Sequence, residues 1–206
     1  MAEDFSLSEL IIPGTYIRVR PEGLVGVGGI ATGNIGIVGT SAQGQGSTAI
    51  LSSYQDAAAA FGGHTTADFG YAHALDLLYQ AGAGTVYARS LDPDPNKSDA
   101  TAYTGAFNEL LKENVNILVA PQLTTANALA VFGGVLTEAD KSHRDVMVVV
   151  GSDATKVADI KGQSAGNGRI VLAAPGYKIP TGTTWTNTPG PFVAMPVAAL
   201  LSSLTP

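Results

Sequence analysis

Val115-Asn116-Ile117-Leu118-Val119-Ala120-Pro121 is the stretch that decides the fold. It is apolar at every position but one and is stopped by a proline, so a strand here must be covered on both faces. Two more such runs follow at Val146–Val150 and Ile170–Ala174, with helical patterns between them. Ahead of the first, Tyr103, Ala106, Phe107, Leu110 and Leu111 recur at the spacing of one helix face. Thr124 and Thr125 open the next helix, expected to reach about Leu136. Ser152 and Asp153 are expected to cap a short one ending at Lys161. Strands buried on both faces and joined by helices imply an α/β fold with a mostly parallel sheet. Downstream, Tyr177 to Phe192 is rich in Thr, Pro and Gly and reads as a loop or hairpin. Pro196 then begins a short apolar helix.

Working outward toward the amino end, Ile35-Gly36-Ile37-Val38 is a strand and Ser52 to Gly63 a short serine-capped helix. Its stripe is Tyr54, Ala57, Ala58 and Phe61. Asp68 is expected to cap a second helix that buries Tyr71, Leu75, Leu78 and Tyr79 and ends at Gly82-Ala83-Gly84. Thr85 to Arg89 follows as a strand. The segment Leu91 to Ser98 holds two prolines among turn-forming residues and continues neither element. The chain therefore divides into an extended arm (1–22), a first small α/β subdomain with a glycine-rich link (23–95) and a second α/β subdomain (96–206).

The arm has its own pattern. Between Pro13 and Pro21, Thr15, Ile17 and Val19 fall on one face of a strand, and Tyr16, Arg18 and Arg20 on the other. Gly23, Gly26, Gly28, Gly29 and Gly33 form a hinge between this strand and the rest. A strand set apart in this way can lend an edge to a neighbouring sheet.

Composition narrows the function. Only 14% of residues are charged, against roughly a quarter in an average soluble domain. Such a surface fits a protein largely covered by partners. The formal charge of −6 lies in residues 1–95, where nine acids face three arginines, while residues 96–206 hold eight acids and eight bases. No basic patch is available for phosphates, so nucleic acid is not expected as a partner. With no cysteine there is no disulfide, thiol catalysis or cysteine-held metal. The acidic first residues are no signal peptide, and no run reaches the ~20 apolar residues of a membrane span.

The candidate catalytic strings fail on context. Gly26 to Ala31 fits a dinucleotide-binding string but leads toward a strand, where no helix dipole awaits a pyrophosphate. Gly162-Gln163-Ser164-Ala165-Gly166 fits a nucleophile elbow but follows a helix and precedes a strand. His64, His73 and Asp76 lack the convergence a metal requires, and the histidines read as exposed or capping. Asp140, Asp145 and Asp153 read as solvated helix ends. The remaining enzyme reading is a small-molecule or nucleotide site past the strand ends, with an anion at a helix N-terminus near Ser152. Trp185, the only tryptophan, is either a contact residue or a local anchor.

Several strings together resemble the N-terminal and middle portion of contractile phage tail sheath proteins. They are Pro13-Gly14-Thr15-Tyr16-Ile17, then Gly36-Ile37-Val38-Gly39-Thr40-Ser41-Ala42-Gln43-Gly44, then Tyr54-Gln55-Asp56 with Phe61-Gly62-Gly63. Gly70-Tyr71-Ala72, Leu77 to Arg89, and Leu110 to Pro121 complete the series over about 110 residues. The resemblance implies a structural subunit of a virion tail, assembled in the host cytoplasm, with no enzymatic activity and no cofactor. It implies self-polymerisation around an inner tube, with tube, baseplate and terminator proteins as partners and no membrane. It also implies contraction by rigid-body rearrangement, with Thr15, Tyr16, Ile17, Arg18 and Val19 as the strand linking subunits. The sheath of a bacteriocin or secretion-type injection machine has the same architecture. Sheath proteins carry a further C-terminal domain, so the chain is expected to be a fragment or a reduced relative.

Overall fold

The computed structural model describes residues 33–65, 69–181 and 184–204. The linking strand Thr15–Val19, the hinge positions Gly23, Gly26, Gly28 and Gly29, the 26–31 string and Asp68 lie outside them.

Six strands form one sheet in the order β2-β3-β1-β4-β5-β6. They are β1 (Ile35–Thr40), β2 (Thr48–Leu51), β3 (Val86–Leu91), β4 (Ile117–Val119), β5 (Met147–Gly151) and β6 (Ile170–Ala173). All neighbours run parallel except β2, which lies antiparallel to β3 at the sheet edge. β1 sits in the middle, pairing Ile35 with Val86 on one side and with Ile117 on the other. The Leu91–Ser98 segment therefore does not divide the sheet: it is a crossover between strands on either side of β1. Its turn is held by the Asp94 carbonyl, which accepts from the Lys97 and Ser98 amides.

Both faces of the sheet are covered, and period-two alternation assigns each residue its layer. Ile35, Ile37, Ile117, Val119 and Val149 point toward α1 (Tyr54–Phe61), α2 (Tyr71–Gln80) and α6 (Ala194–Ser203). Val38, Leu118, Val148 and Val150 point toward α3 (Ala100–Leu110) and α4 (Thr125–Lys141). On that second face the rings of Phe107 and Phe132 meet at 4.8 Å and are fully buried.

Helix starts follow cap chemistry where a cap is present. Ser53, Asp99 and Thr124 each accept from the backbone N–H three residues on. The N-cap of α2 is Gly70, with no side-chain cap bond. α4 continues five residues beyond the expected Leu136, because Ala139 is buried in the same stripe as Val135 and Leu136. Tyr177 to Phe192 contains a hairpin of β7 (Lys178–Thr181) and β8 (Thr184–Asn187), then a short 310 turn at Gly190–Val193. Trp185 stands exposed on that hairpin, as a contact residue would and a packing anchor would not.

Candidate functional site at the carboxyl ends of the strands

In a doubly wound sheet, ligands gather where neighbouring strands send their connections to opposite faces. Here that point lies between β1, which is followed by α1 and α2, and β4, which is followed by α4. The chain's own groups fill it. Gln122 Oε1 accepts from the Thr40 amide at 2.5 Å, bridging the ends of β1 and β4.

The next gap, between β4 and β5, is closed by Asp153. Its Oδ2 accepts from the Thr125 amide at 3.2 Å, and its Oδ1 from the Thr125 hydroxyl at 2.7 Å. The Thr125 Oγ1 in turn accepts from the Asp153 amide at 2.9 Å. An internal carboxylate thus occupies the amino end of α4, where an external anion would otherwise bind. This corrects one expectation. Asp153 is exposed at a helix end, as expected, but the helix it serves is α4, and neither it nor Ser152 caps the following helix, α5 (Val157–Gly162), whose N-cap is Lys156 without a side-chain bond. Ser152 is buried, with its hydroxyl donating to Gln163 Oε1 at 2.7 Å and accepting from the Ala154 amide at 3.2 Å. The tertiary partners prevail because they satisfy buried polar groups, which a cap at the surface would not.

Over these ends lies the 310 turn. Gly190 and Gly151 face each other so closely that a side chain on Gly151 would bring its first carbon to 2.6 Å from the Pro191 Cα. Phe192 anchors the turn in the core. A cavity of about 430 Å³ remains beside it, lined by Phe69, Pro121, Leu123, Asp153, Pro189 and Pro191 among others. Among the described residues, Asp153 is the sole ionisable side chain in this lining, and its carboxylate is engaged by Thr125.

Replacing Asp153 with alanine leaves the amide and the buried hydroxyl of Thr125 without their carboxylate. The expected loss is about 1–3 kcal/mol of unfolding free energy, read from urea denaturation. An unchanged midpoint would show that the carboxylate is not the anchor.

The other candidate residues separate. Gly162 to Gly166 is the turn between α5 and β6, so Ser164 is no elbow nucleophile. His143 is exposed, with positive φ just beyond the end of α4. His64, His73 and Asp76 do come together, which corrects their reading as exposed or capping residues. His64 Nε2 lies 3.0 Å from Asp76 Oδ2, and its Nδ1 lies 3.3 Å from His73 Nδ1. His73 is buried, with its ring edge-on to Phe69 and Phe192. The cluster joins the segment after α1 to the face of α2. Among the described residues, no group of three His, Cys, Asp or Glu side chains could hold a metal ion. Among them, too, no helix is long and apolar enough to cross a membrane.

No protein-family model matches the chain, and no curated protein does. Solved structures do. The anti-feeding prophage helical sheath in its contracted state aligns with a TM-score of 0.58 at 19% identity, covering 89% of this chain and 51% of that one. The six-fold symmetrised anti-feeding prophage baseplate aligns with a TM-score of 0.55 at 20% identity, covering 93% and 51%. The same baseplate in its contracted state gives 0.51 at 15%, covering 97% and 55%. This chain thus spans about half the length of the structures it matches. At these identities the likeness is one of fold, and it extends over nearly all of this chain. The protein has the sheath-like α/β fold found in the contractile sheath and baseplate of the anti-feeding prophage.

Proposed function

We propose that this chain is a structural subunit, or the first part of one, of a contractile sheath that polymerises around an inner tube. One observation carries the reading: the fold is shared with a contracted helical sheath over 89% of this chain, matching 51% of that one. The strand ends add to it, because the polar groups of Gln122 and Asp153 in the crevice that serves enzymes of this architecture are engaged within the chain, with the 310 turn lying beside the cavity that remains. That engagement weighs against the alternative of a small-molecule or nucleotide-binding enzyme domain. The matched structures come from an anti-feeding prophage, which favours a phage-like injection machine as strongly as a phage tail.

Within this proposal, Thr15, Tyr16, Ile17, Arg18 and Val19 form the strand that joins one subunit to the next. Main-chain hydrogen bonding along an added strand suits a contact repeated identically many times. Gly23, Gly26, Gly28 and Gly29 let subunits turn while the strand stays attached. Gly33 takes a different part: its amide donates to the Ser202 carbonyl at 3.1 Å, so it marks the fixed end of the link. The partners are further copies of the chain, the tube protein, and baseplate and terminator proteins, and the location is the tail of the particle. The arm at 1–22 then acts as the joint, while 23–95 and 96–206 share one sheet and act together as the body.

Negative-stain microscopy of the gene product with and without residues 1–22 tests this. Hollow striated tubes are expected from the intact chain and none from the shortened one. Ile17→Pro removes one ladder donor and is expected to abolish tubes while the thermal transition of the folded body stays within a few degrees. Monomers from every form, or an equal loss of assembly and folding, would refute the proposal.

A further inference from the structure

The turn Gly166-Asn167-Gly168-Arg169 leads directly into β6, and Asn167 is the one asparagine of eight in the chain that is followed by glycine. Both Asn167 and Gly168 are exposed. Asn167 holds the turn with two acceptors. Its Oδ1 accepts from the Arg169 amide at 2.9 Å, and its main-chain carbonyl accepts from the Ile170 amide at 3.1 Å. Among the described residues, the Gly168 amide between them donates to no acceptor. The hydrogen bond at Oδ1 draws electrons away from the carboxamide carbon, Cγ, and Gly168 has no side chain to shield its nitrogen from that carbon. An electrophile and an unencumbered nucleophile therefore stand one residue apart on the surface.

We propose that Asn167 is a site of self-modification, in which the Gly168 nitrogen attacks Cγ and water completes a deamidation. Hydroxide removes the Gly168 amide proton. The new N–Cγ bond closes a five-membered succinimide ring, and the carboxamide nitrogen leaves as ammonia. Water then adds to one of the two ring carbonyls and breaks its bond to nitrogen. Opening at Cγ gives aspartate, and opening at the main-chain carbonyl gives isoaspartate. In isoaspartate the main chain is one carbon longer and now runs through Cγ. The carbonyl that received the Ile170 amide has become a free carboxylate. Ile170 begins β6, where it is buried and pairs with Val148, whose amide donates to the Arg169 carbonyl at 2.9 Å. β6 is the outermost strand and pairs only with β5, so the lengthened turn loosens the edge of the sheet. The new charge also lies two positions from Arg169, whose guanidinium is paired with Asp140 at 2.7 Å. The inference stands independently of the sheath reading, because it requires only this turn.

The full chain is aged at body temperature in neutral and mildly alkaline buffer, folded and in parallel unfolded in urea, then digested and read by mass spectrometry. Asn167 is expected to convert faster than any other asparagine, faster at the higher pH, and to both aspartate and isoaspartate. Its rate in the folded chain is expected to lie within about tenfold of its rate in urea, because the site is exposed. Gly168→Ala is expected to slow conversion about tenfold without disturbing the fold, since a Cβ there meets open space and φ lies outside the left-handed region. Asn167→Gln, whose ring would need six members, keeps the amide and is expected to show no conversion over the same time. Hydrogen exchange on the isoaspartate fraction is expected to be faster in β6 than in the unmodified chain, with β1 unchanged. Aspartate as the sole product, an unchanged rate in Gly168→Ala, or a folded rate more than about tenfold below that in urea would each overturn the proposal. Unchanged exchange in β6 would overturn its link to the sheet edge.

Discussion

Replacing Gly190 with alanine is expected to destabilise the protein by about 3 kcal/mol, lowering the melting temperature by roughly 6–12 °C. The added carbon would lie 2.8 Å from both the Asp153 Cα and the Ser152 carbonyl carbon, and closer still to the Ser152 carbonyl oxygen. These obstacles are backbone atoms of the segment leaving β5, so no rotamer change removes them. The opposite side offers no slack either, because Gly151 packs against Pro191 in the same seam. Relief requires the 310 turn to lift, and with it Phe192, which is 2% exposed and holds that turn to the core. Calorimetry or urea denaturation measures the loss. A change below about 1 kcal/mol would mean that the turn shifts freely, and then it could not close the strand ends as described.

Truncating Phe107 to alanine is expected to cost about 3–5 kcal/mol, the range for removing a large ring from a packed interior. Phe107 is fully buried between α3 and the sheet, and its ring meets Phe132 of α4 in a tilted contact. The vacated space is bounded by Leu110, Leu118, Val135 and other buried side chains of the same layer, which can collapse only in part. Phe107→Leu keeps most of the volume and is expected to cost less than about 1.5 kcal/mol. Trp185→Ala provides the contrast: the ring is 66% exposed on the hairpin, so the expected effect is within about 0.5 kcal/mol despite the larger side chain. Equal losses at Phe107 and Trp185 would contradict the assignment of the core.

Much of the architecture was legible before any coordinates. The apolar runs at 115–120 (broken only by Asn116), 146–150 and 170–174 each became a parallel strand, because a strand buried on both faces tolerates no polar alternation. Tyr103, Ala106, Phe107 and Leu110 are all buried, as their spacing required. The edge strand β2 escaped notice. Its four residues, Thr48 to Leu51, are too few to show a period, and Ile50 is 64% exposed, so only the pairing with β3 identifies it.

The candidate site was less legible, and for one physical reason. Capping and ligand signals are local in sequence, whereas satisfaction of buried polar groups is not. Ser152 and Asp153 carry the residue types of a cap, yet Asp153 bonds to Thr125, 28 positions away. The His64, His73 and Asp76 cluster arises in the same way, from a chain segment folding back onto α2.

By itself the sequence determined the α/β class, the strands of the parallel sheet and the two apolar layers, because periodicity and burial are properties of the chain at short range. Only the tertiary structure decided the order in which those strands lie, with β1 between β3 and β4 and one sheet running through the Leu91–Ser98 crossover. It alone decided that the strand ends are filled from within and that Gly33 and Ser202 meet at the opposite pole. Those outcomes depend on contacts between residues tens to hundreds of positions apart, which no local pattern encodes.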